Sequence, residues 1–359
     1  MSITAIVDLQ FGSTGKGLIA GYLSEKNDYD MVISANMPNA GHTYVEADGT
    51  KRVHKVLPSG IYSKNLKYIA IGPGAVFDPS RLELELEGIR KAGIKAQVII
   101  HPQAGVLRPE HKEAEQSNLS HISSTMQGSM AALVEKMGRA RDGANIAKNL
   151  PADTVKWLNR LDCHIVSNME WNGITWAMRN ILMEGSQGYS LGLSAGFYPY
   201  CTSRDCTVWR LLADCGVQNF DGKLRVIGTA RVHPIRVGNT ADGNSGPCYS
   251  DQKELTWEDL GQTPETTTVT GRVRRVFTFS TQQIMDAMIA NRVDEVFLNF
   301  CNYAPSEAIR IAGNIDTIGT ELYKQRGYPA FVDKVNMVRY MGFGPAGRDI
   351  LEVGHDPVW

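Results

Sequence analysis

A chain of 359 residues exceeds the roughly 100–200 residues of a common single domain, which leaves room for one large elaborated core or for two. Hydrophobic residues make up 43% and charged residues 21%, the balance of a soluble globular protein, and a net charge of -1 excludes a general pull toward nucleic acid or anionic membrane. No apolar run approaches the roughly 18 residues of a membrane span, no basic-then-apolar leader is present, and the six cysteines form no C-x-x-C pair. The expectation is a cytoplasmic protein that binds small molecules in a reducing compartment, with neither nucleic acid nor membrane as partner.

The apolar run 3–7 predicts a buried strand. Gln10-Phe11-Gly12-Ser13-Thr14-Gly15-Lys16-Gly17 follows, and Leu18, Ile19, Tyr22 and Leu23 then fall on one face at helical spacing. Strand, glycine loop and helix N-terminus together aim backbone N–H groups and a positive dipole end at an anion, and Lys16 adds a charge. An ordinary strand-to-helix turn is the alternative. The spacing is not that of a Walker loop, because two residues rather than four separate Gly12 from Gly15-Lys16, and Gly17 follows the lysine.

Further strands are predicted at 32–35, 66–71 and 96–101, and Asp78-Pro79-Ser80 is a capped helix opening that favours helix over the alternating Leu82–Leu86 stretch. Residues 126–148 read as helix, carrying Lys136, Arg139 and Arg141. In the middle of the chain the run 176–183 leads into Glu184-Gly185-Ser186-Gln187-Gly188. A helix is expected over about 205–215, a strand at 224–232, loops at 239–252 and 261–270, a helix around Ile284–Ile289 and a strand at 296–300. Strands alternating with helices predict an α/β fold: a mainly parallel central sheet, helices on both faces, long loop excursions, and one domain over 1–359.

Four loops at predicted strand ends carry polar residues that a core does not require, and ligands of open α/β sheets collect at such ends. They are the Gly12–Gly17 loop, Asn39-Ala40-Gly41-His42-Thr43, the Glu184–Gly188 turn, and Thr267-Thr268-Val269-Thr270-Gly271-Arg272-Val273-Arg274-Arg275. In the last, three arginines in four residues beside hydroxyls make a forked receptor for carboxylate or phosphate. A lone histidine such as His42 is more often structural than catalytic, and the Gln187 turn is as readily a plain turn. Together the loops imply an enzyme that binds several anionic groups at once.

These motifs, with Tyr198-Pro199-Tyr200-Cys201-Thr202-Ser203, resemble adenylosuccinate synthetase along nearly the whole chain. The family's opening Gln-Trp-Gly-Asp-Glu-Gly-Lys-Gly is matched at residues 10–17, its Asn-Ala-Gly-His-Thr at 39–43, its Glu-Gly-Ala-Gln-Gly at 184–188 and its Thr-Gly-Arg-x-Arg-Arg at 270–275. The resemblance implies a synthetase that couples hydrolysis of a nucleoside triphosphate to joining L-aspartate onto a purine monophosphate through a 6-phosphoryl intermediate. It makes Ser13, Lys16, His42 and Gln187 the catalytic set. Gly12 to Gly17, Gly41, His42, Thr43, Arg274, Asn299 and Gly344 would hold the triphosphate. Ser13, Asn39, Ala40, Thr125, Arg139, Gln187, Thr202 and Arg272 would hold the monophosphate, with Arg139 reaching across a homodimer. Thr268, Val269, Thr270, Gly271 and Arg272 would close over aspartate, and Ser13 and Gly41 would lie in a Mg2+ shell.

The departures redirect this expectation. Ser13 stands where the family keeps a catalytic Asp, leaving room and a donor–acceptor hydroxyl beside the reacting ring edge, which suits a 2-amino purine. The same swap marks the branch of this family in bacteriophages that build 2-aminoadenine into DNA from dGMP. Residues 298–302, Leu-Asn-Phe-Cys-Asn, lack the carboxylate that selects GTP. A hydrogen bond to a charged group contributes about 1.5–3 kcal/mol, so ATP or dATP is the expected donor. The segment 126–130 and Val269 also depart from the family pattern.

Overall fold

The computed structural model describes residues 1–139, 145–217, 220–267, 270–325 and 335–354. Its organising element is β1 (Ser2–Asp8), a run whose residues after Ser2 are all buried. Side chains alternate along it: Ile3, Ala5 and Val7 enter one hydrophobic cluster and Ile6 enters another on the opposite face. A strand buried on both faces needs helices above and below, and that is the parallel α/β solution.

The remaining strands of the sheet are β2 (Met31–Ser34), β3 (Tyr68–Ile71), β4 (Gln97–Ile100), β5 (Cys163–Ile165), β6 (Asn180–Glu184), β7 (Lys223–Arg231), β8 (Glu295–Asn299), β9 (Val338–Gly342) and β10 (Ile350–Glu352). In space they run β10-β9-β8-β7-β1-β6-β2-β3-β4-β5, and every pairing is parallel except β9 with β10. The register sets Ile6 beside Glu184 and Asp8 beside Thr229, so the carboxyl ends of β1, β6 and β7 finish together. The order in which strands are added along the sheet reverses at β1, which opens the crevice where such sheets bind ligands.

The expected α/β architecture and most predicted elements are present, with three differences. The helix after the glycine loop, α1 (Lys16–Lys26), is buried from Lys16 through Ser24 rather than on one stripe, because the hairpin of His42–Val45 and Lys51–His54 covers its outer side. The helix expected over 126–148 is confined to Ser129–Gly138, flanked by Gly128 and Arg139 in left-handed conformation; Arg141 lies outside the described residues. Helices at Pro109–Asn118, Ala152–Arg160, Asn168–Ala177 and Pro305–Gln325 were not anticipated. The last sends Ala308, Ile311, Ile315 and Ile318 into the β1 cluster at helical spacing. No helix among the described residues is long and apolar enough to cross a membrane, and all six cysteines are free thiols.

Candidate active site

The floor of the crevice is built at the end of β1. Asp8, 1% exposed, accepts from the Gln10 amide at 2.9 Å, the Gly12 amide at 3.3 Å and Lys16 Nζ at 2.9 Å, and from the Thr14 hydroxyl. Thr14 also meets Thr229, the Asp8 neighbour on β7. A buried carboxylate is tolerated because its lone pairs are filled and Lys16 balances its charge. This alters part of the sequence reading. The Gly12 amide and the Thr14 hydroxyl are turned down onto Asp8, and Lys16 is paired rather than free.

The loop above this carboxylate needs glycine where backbones crowd. Gly15, at φ 96°, caps α1, and a Cβ there would stand 2.2 Å from Asn299 Nδ2. At Gly188 a Cβ would meet Gln10 O at 2.3 Å and Gly12 N at 2.4 Å, so the β6 turn is seated directly on the β1 loop. Asn299 itself, expected to face the triphosphate, is 5% exposed, and its Nδ2 donates to Thr14 O at 3.3 Å. Its side chain supports the loop from below. Ser13 is exposed at the apex in left-handed conformation, φ 57°.

Also on this floor, His42 Nδ1 lies against Glu184 Oε1, joining the second and third motifs in a buried pair. Glu184 Oε2 accepts from the Ser59 amide at 2.6 Å. Burial pushes the Glu184 carboxyl up, but the His42 imidazole against it, helped by that amide, holds it below the ordinary glutamate range. A carboxylate on Nδ1 fixes the ring and leaves Nε2 to act elsewhere. Gly41, just before His42, is exposed, and the nearest atom to a Cβ there is 4.0 Å away. Thr43 follows in the hairpin strand, and Ala40 is buried with its amide on Met37 O at 2.9 Å.

Gln187, at φ 66°, donates from Nε2 to Asn39 Oδ1 at 3.1 Å, so two residues from separate motifs share one rim. Below them a small pocket is lined by Asp8, Ala35, Ser186, Gln187, Arg204 and Cys206. Arg204 ties its walls together, donating to Ala35 O at 2.8 Å, Gly74 O at 3.2 Å and Asp214 Oδ2 at 3.0 Å, and to the Ser186 hydroxyl. Thr202 is anchored through its amide on Leu191 O at 2.8 Å.

The fourth motif splits. Arg272 Nη2 reaches Ser124 O at 2.8 Å, beside Thr125, while its Nε donates to the Thr270 hydroxyl at 3.0 Å. Gly271, at φ 65°, donates to Thr267 O at 3.0 Å. Thr268 and Val269 lie outside the described residues. Arg274 sits by Arg231 and Glu265, and burial with the Arg231 charge pushes its guanidinium down to about 10. Arg275 does not join the fork: Glu254, from an adjoining strand, pairs with it at 2.6 Å, and Gly246 O accepts from it at 2.6 Å. Arg139 stands exposed beyond Ser129–Gly138, and Gly344 packs by Asp349 past the end of β9.

Asp8, Arg204, Arg231 and Glu265 received no role from sequence. Asp8 carried a readable signal, a carboxylate ending an apolar strand just before a glycine loop. The side chains of the others reach partners such as Asp214 for Arg204 and Ser13 for Arg231, 10 and 218 positions away, which local pattern does not reveal.

A ten-stranded, mainly parallel sheet with these loops on its carboxyl edge defines a nucleotide-dependent C–N ligase: residues 5–156 and 147–340 match the adenylosuccinate synthetase model, and the chain belongs to that family. Within it, the N6-succino-2-amino-2'-deoxyadenylate synthase of Vibrio phage phiVC8 is 49% identical over 352 residues, covering 97% of both chains. The enzyme of that name from Cyanophage S-2L is 40% identical over 352 residues, 96% of this chain and 91% of its own. The adenylosuccinate synthetase of Methanococcus vannielii is 34% identical over 282 residues, 77% of each. Among solved structures, the Cyanophage S-2L synthetase bound to dGMP and dATP aligns with a TM-score of 0.85 at 38% identity, covering 98% of this chain and 95% of that one. Fully ligated adenylosuccinate synthetase from Plasmodium falciparum shares the fold, with a TM-score of 0.73 at 18% identity over 99% of this chain and all of that one.

Proposed function

We propose that this chain joins L-aspartate to dGMP with hydrolysis of ATP or dATP, giving 2-amino-N6-succinyl-2'-deoxyadenylate for synthesis of 2-aminoadenine DNA. The observation that carries this reading is Ser13: an uncharged, exposed residue at the apex of the β1 loop, where the carboxylate of Asp8 below is already engaged. Asp8, the acid nearest in sequence, is filled by Lys16, two amides and a hydroxyl, so it does not replace the missing base. A guanine edge, with its 2-amino group, is accommodated where an aspartate would crowd it. Bacteriophage relatives at 40–49% identity bear names for this product, which supports the same assignment.

In this mechanism the γ-phosphoryl group moves to the purine O6, the aspartate amine attacks C6, and phosphate leaves with the C6–O6 bond. Such transfer rests on positioning and charge neutralisation. His42, oriented by Glu184, stabilises charge at O6. Lys16 and the amides of Ser13, Gly15 and Gly17 meet the phosphates, with Arg274 and Gly344 on the triphosphate side. Asn39, Gln187, Thr125, Thr202 and Arg272 hold dGMP, completed by Arg139 from a second copy in a cytoplasmic homodimer, and Thr268 to Arg272 close over aspartate. Ser13 relays the N1 proton or orients the base.

No cluster of His, Cys, Asp or Glu among the described residues is arranged to hold a metal, and the fit to Mg2+ rests on oxygen donors alone. The exposed Gly41 carbonyl and the Ser13 hydroxyl suit a hard cation that keeps waters and is held chiefly by substrate phosphates. Bound there, Mg2+ neutralises phosphate charge. Side-by-side assay of dGMP and IMP with ATP, dATP and GTP tests the assignment; the expected result is aspartate-dependent product from dGMP with ATP or dATP. Preferential turnover of IMP with GTP overturns it.

A further inference from the structure

Arg231, at the carboxyl end of β7, is 0% exposed, yet its side-chain and backbone bonds to Gln10, Ser13 and Glu265 join two separate parts of the site. Its backbone is locked to the β1 loop through Gln10, which donates to Arg231 O at 3.1 Å and accepts from its amide at 3.0 Å. Its guanidinium then turns two ways. Nη1 donates to the carbonyl of Ser13 at 3.3 Å and to Glu265 Oε2 at 3.2 Å, and Nη2 lies against Glu265 Oε1. The plane of the group rests on the Phe300 ring, 3.8 Å from its centroid, just past β8. Tyr303 completes the ring of contacts, donating from its hydroxyl to Glu265 at 3.0 Å.

Both ends of this bridge matter to the reaction. Ser13 is the residue whose identity separates the guanine reading from the hypoxanthine one, and it holds a left-handed conformation, φ 57°, uncommon for a residue with a side chain. Its carbonyl is the loop atom that the Arg231 guanidinium grips. Glu265 lies at the root of the loop that carries Thr267, Thr270 and Arg272, and its backbone carbonyl accepts from the Arg274 amide at 2.8 Å. A planar guanidinium serves both ends at once, whereas a lysine ammonium reaches one point.

We propose that Arg231 is a positioning residue that sets the purine-side and amino-acid-side loops in register, holding the Ser13 carbonyl and the Glu265 carboxylate on one buried guanidinium. The inference rests on the function proposed above and adds to it the device that couples the two substrate loops. Arg231 touches no substrate; it acts through Ser13 and Glu265. Burial raises the Glu265 carboxyl, and the Arg231 guanidinium, with the Tyr303 hydroxyl and the Arg274 charge, more than offsets that rise and holds it below the ordinary glutamate range.

The test uses full-length Arg231→Lys and Glu265→Gln, with Tyr303→Phe as a milder variant that trims one bond to Glu265. Steady-state kinetics are measured for dGMP and aspartate separately, alongside thermal midpoints. Loosened register raises KM for aspartate and for dGMP by about tenfold in Arg231→Lys, with Glu265→Gln affecting aspartate more than dGMP. The rise exceeds any fall in kcat, and Tyr303→Phe shifts aspartate KM in the same direction by a smaller factor. Folded variants with lowered thermal midpoints but unchanged KM for both substrates overturn the proposal, as does an unchanged aspartate KM in Tyr303→Phe if the other two do not fold. Failure of the wild-type protein to turn over dGMP is a separate outcome: it removes the substrate assignment, and the same variants are then read with IMP.

Discussion

The crevice has a floor and a rim, and the two are built on opposite principles. On the floor, Asp8, Lys16, His42 and Glu184 are each 7% exposed or less, and each charge has its partner within the fold. On the rim, Ser13, Gly41 and Gly271 are exposed, and Thr267, Thr270 and Arg272 hold one another by hydroxyl and guanidinium bonds over a short span. Fixed, desolvated charges stabilise a developing transition state without reorganising, while an exposed rim admits three substrates and closes over them. On the function proposed above, catalytic power resides in the floor and discrimination among substrates in the rim.

The sharpest way to break this division is to remove a floor group. His42→Ala lowers kcat by about 10²–10⁴ while nucleotide affinity in calorimetry is retained; near wild-type turnover assigns His42 to structure alone. Asp8→Ala leaves Lys16 buried without its partner and costs about 3–5 kcal/mol in denaturant unfolding. Next comes the rim. Ser13→Asp restores an acid beside the ring edge, cutting kcat/KM for dGMP by about tenfold or more and raising that for IMP. Identical dGMP kinetics in that variant remove Ser13 from purine selection.

Acid sharpens the contrast further. The Glu184 carboxyl lies below its ordinary value of 4.5, so its contribution to stability is complete above that pH and is lost as pH falls through the lowered native value. Thermal midpoints followed from about pH 6 to about pH 3 fall for the wild-type protein, and the drop is smaller in Glu184→Gln. The smallest effect belongs outside both regions. Glu254, 46% exposed in its pair with Arg275, contributes about 0–1 kcal/mol, so Glu254→Gln leaves stability and turnover near wild type.

How much of this was legible in the chain follows the same division. Strands with apolar runs between glycine loops were readable because burial on both faces leaves a continuous hydrophobic signature, as in residues 3–7 and 296–298. The Pro305–Gln325 helix carried the 308, 311, 315, 318 spacing but no glycine-rich neighbour, and it escaped notice. Rim residues were recognisable as motifs because close backbone approach demands their glycines and hydroxyls. The floor was harder. Lys16 reads as an unpaired cation until Asp8 is seen beneath it, and Arg275 reads as part of an anion receptor until Glu254 arrives from 21 positions away. Charge pairing depends on the fold, and local sequence does not encode it.

The place of β1 at the middle of the sheet bears on how the chain is made. Residues 2–8 are synthesised long before their partners, residues 180–184 and 223–229. Strands β2 to β5 zip together in chain order from the first half of the chain, whereas β1 waits for β6 to insert between it and β2. Closing such long loops is slow and leaves apolar edges open meanwhile. The residues of β2 to β5 are all synthesised before those of β6 and β7, whose ends complete the floor of the crevice.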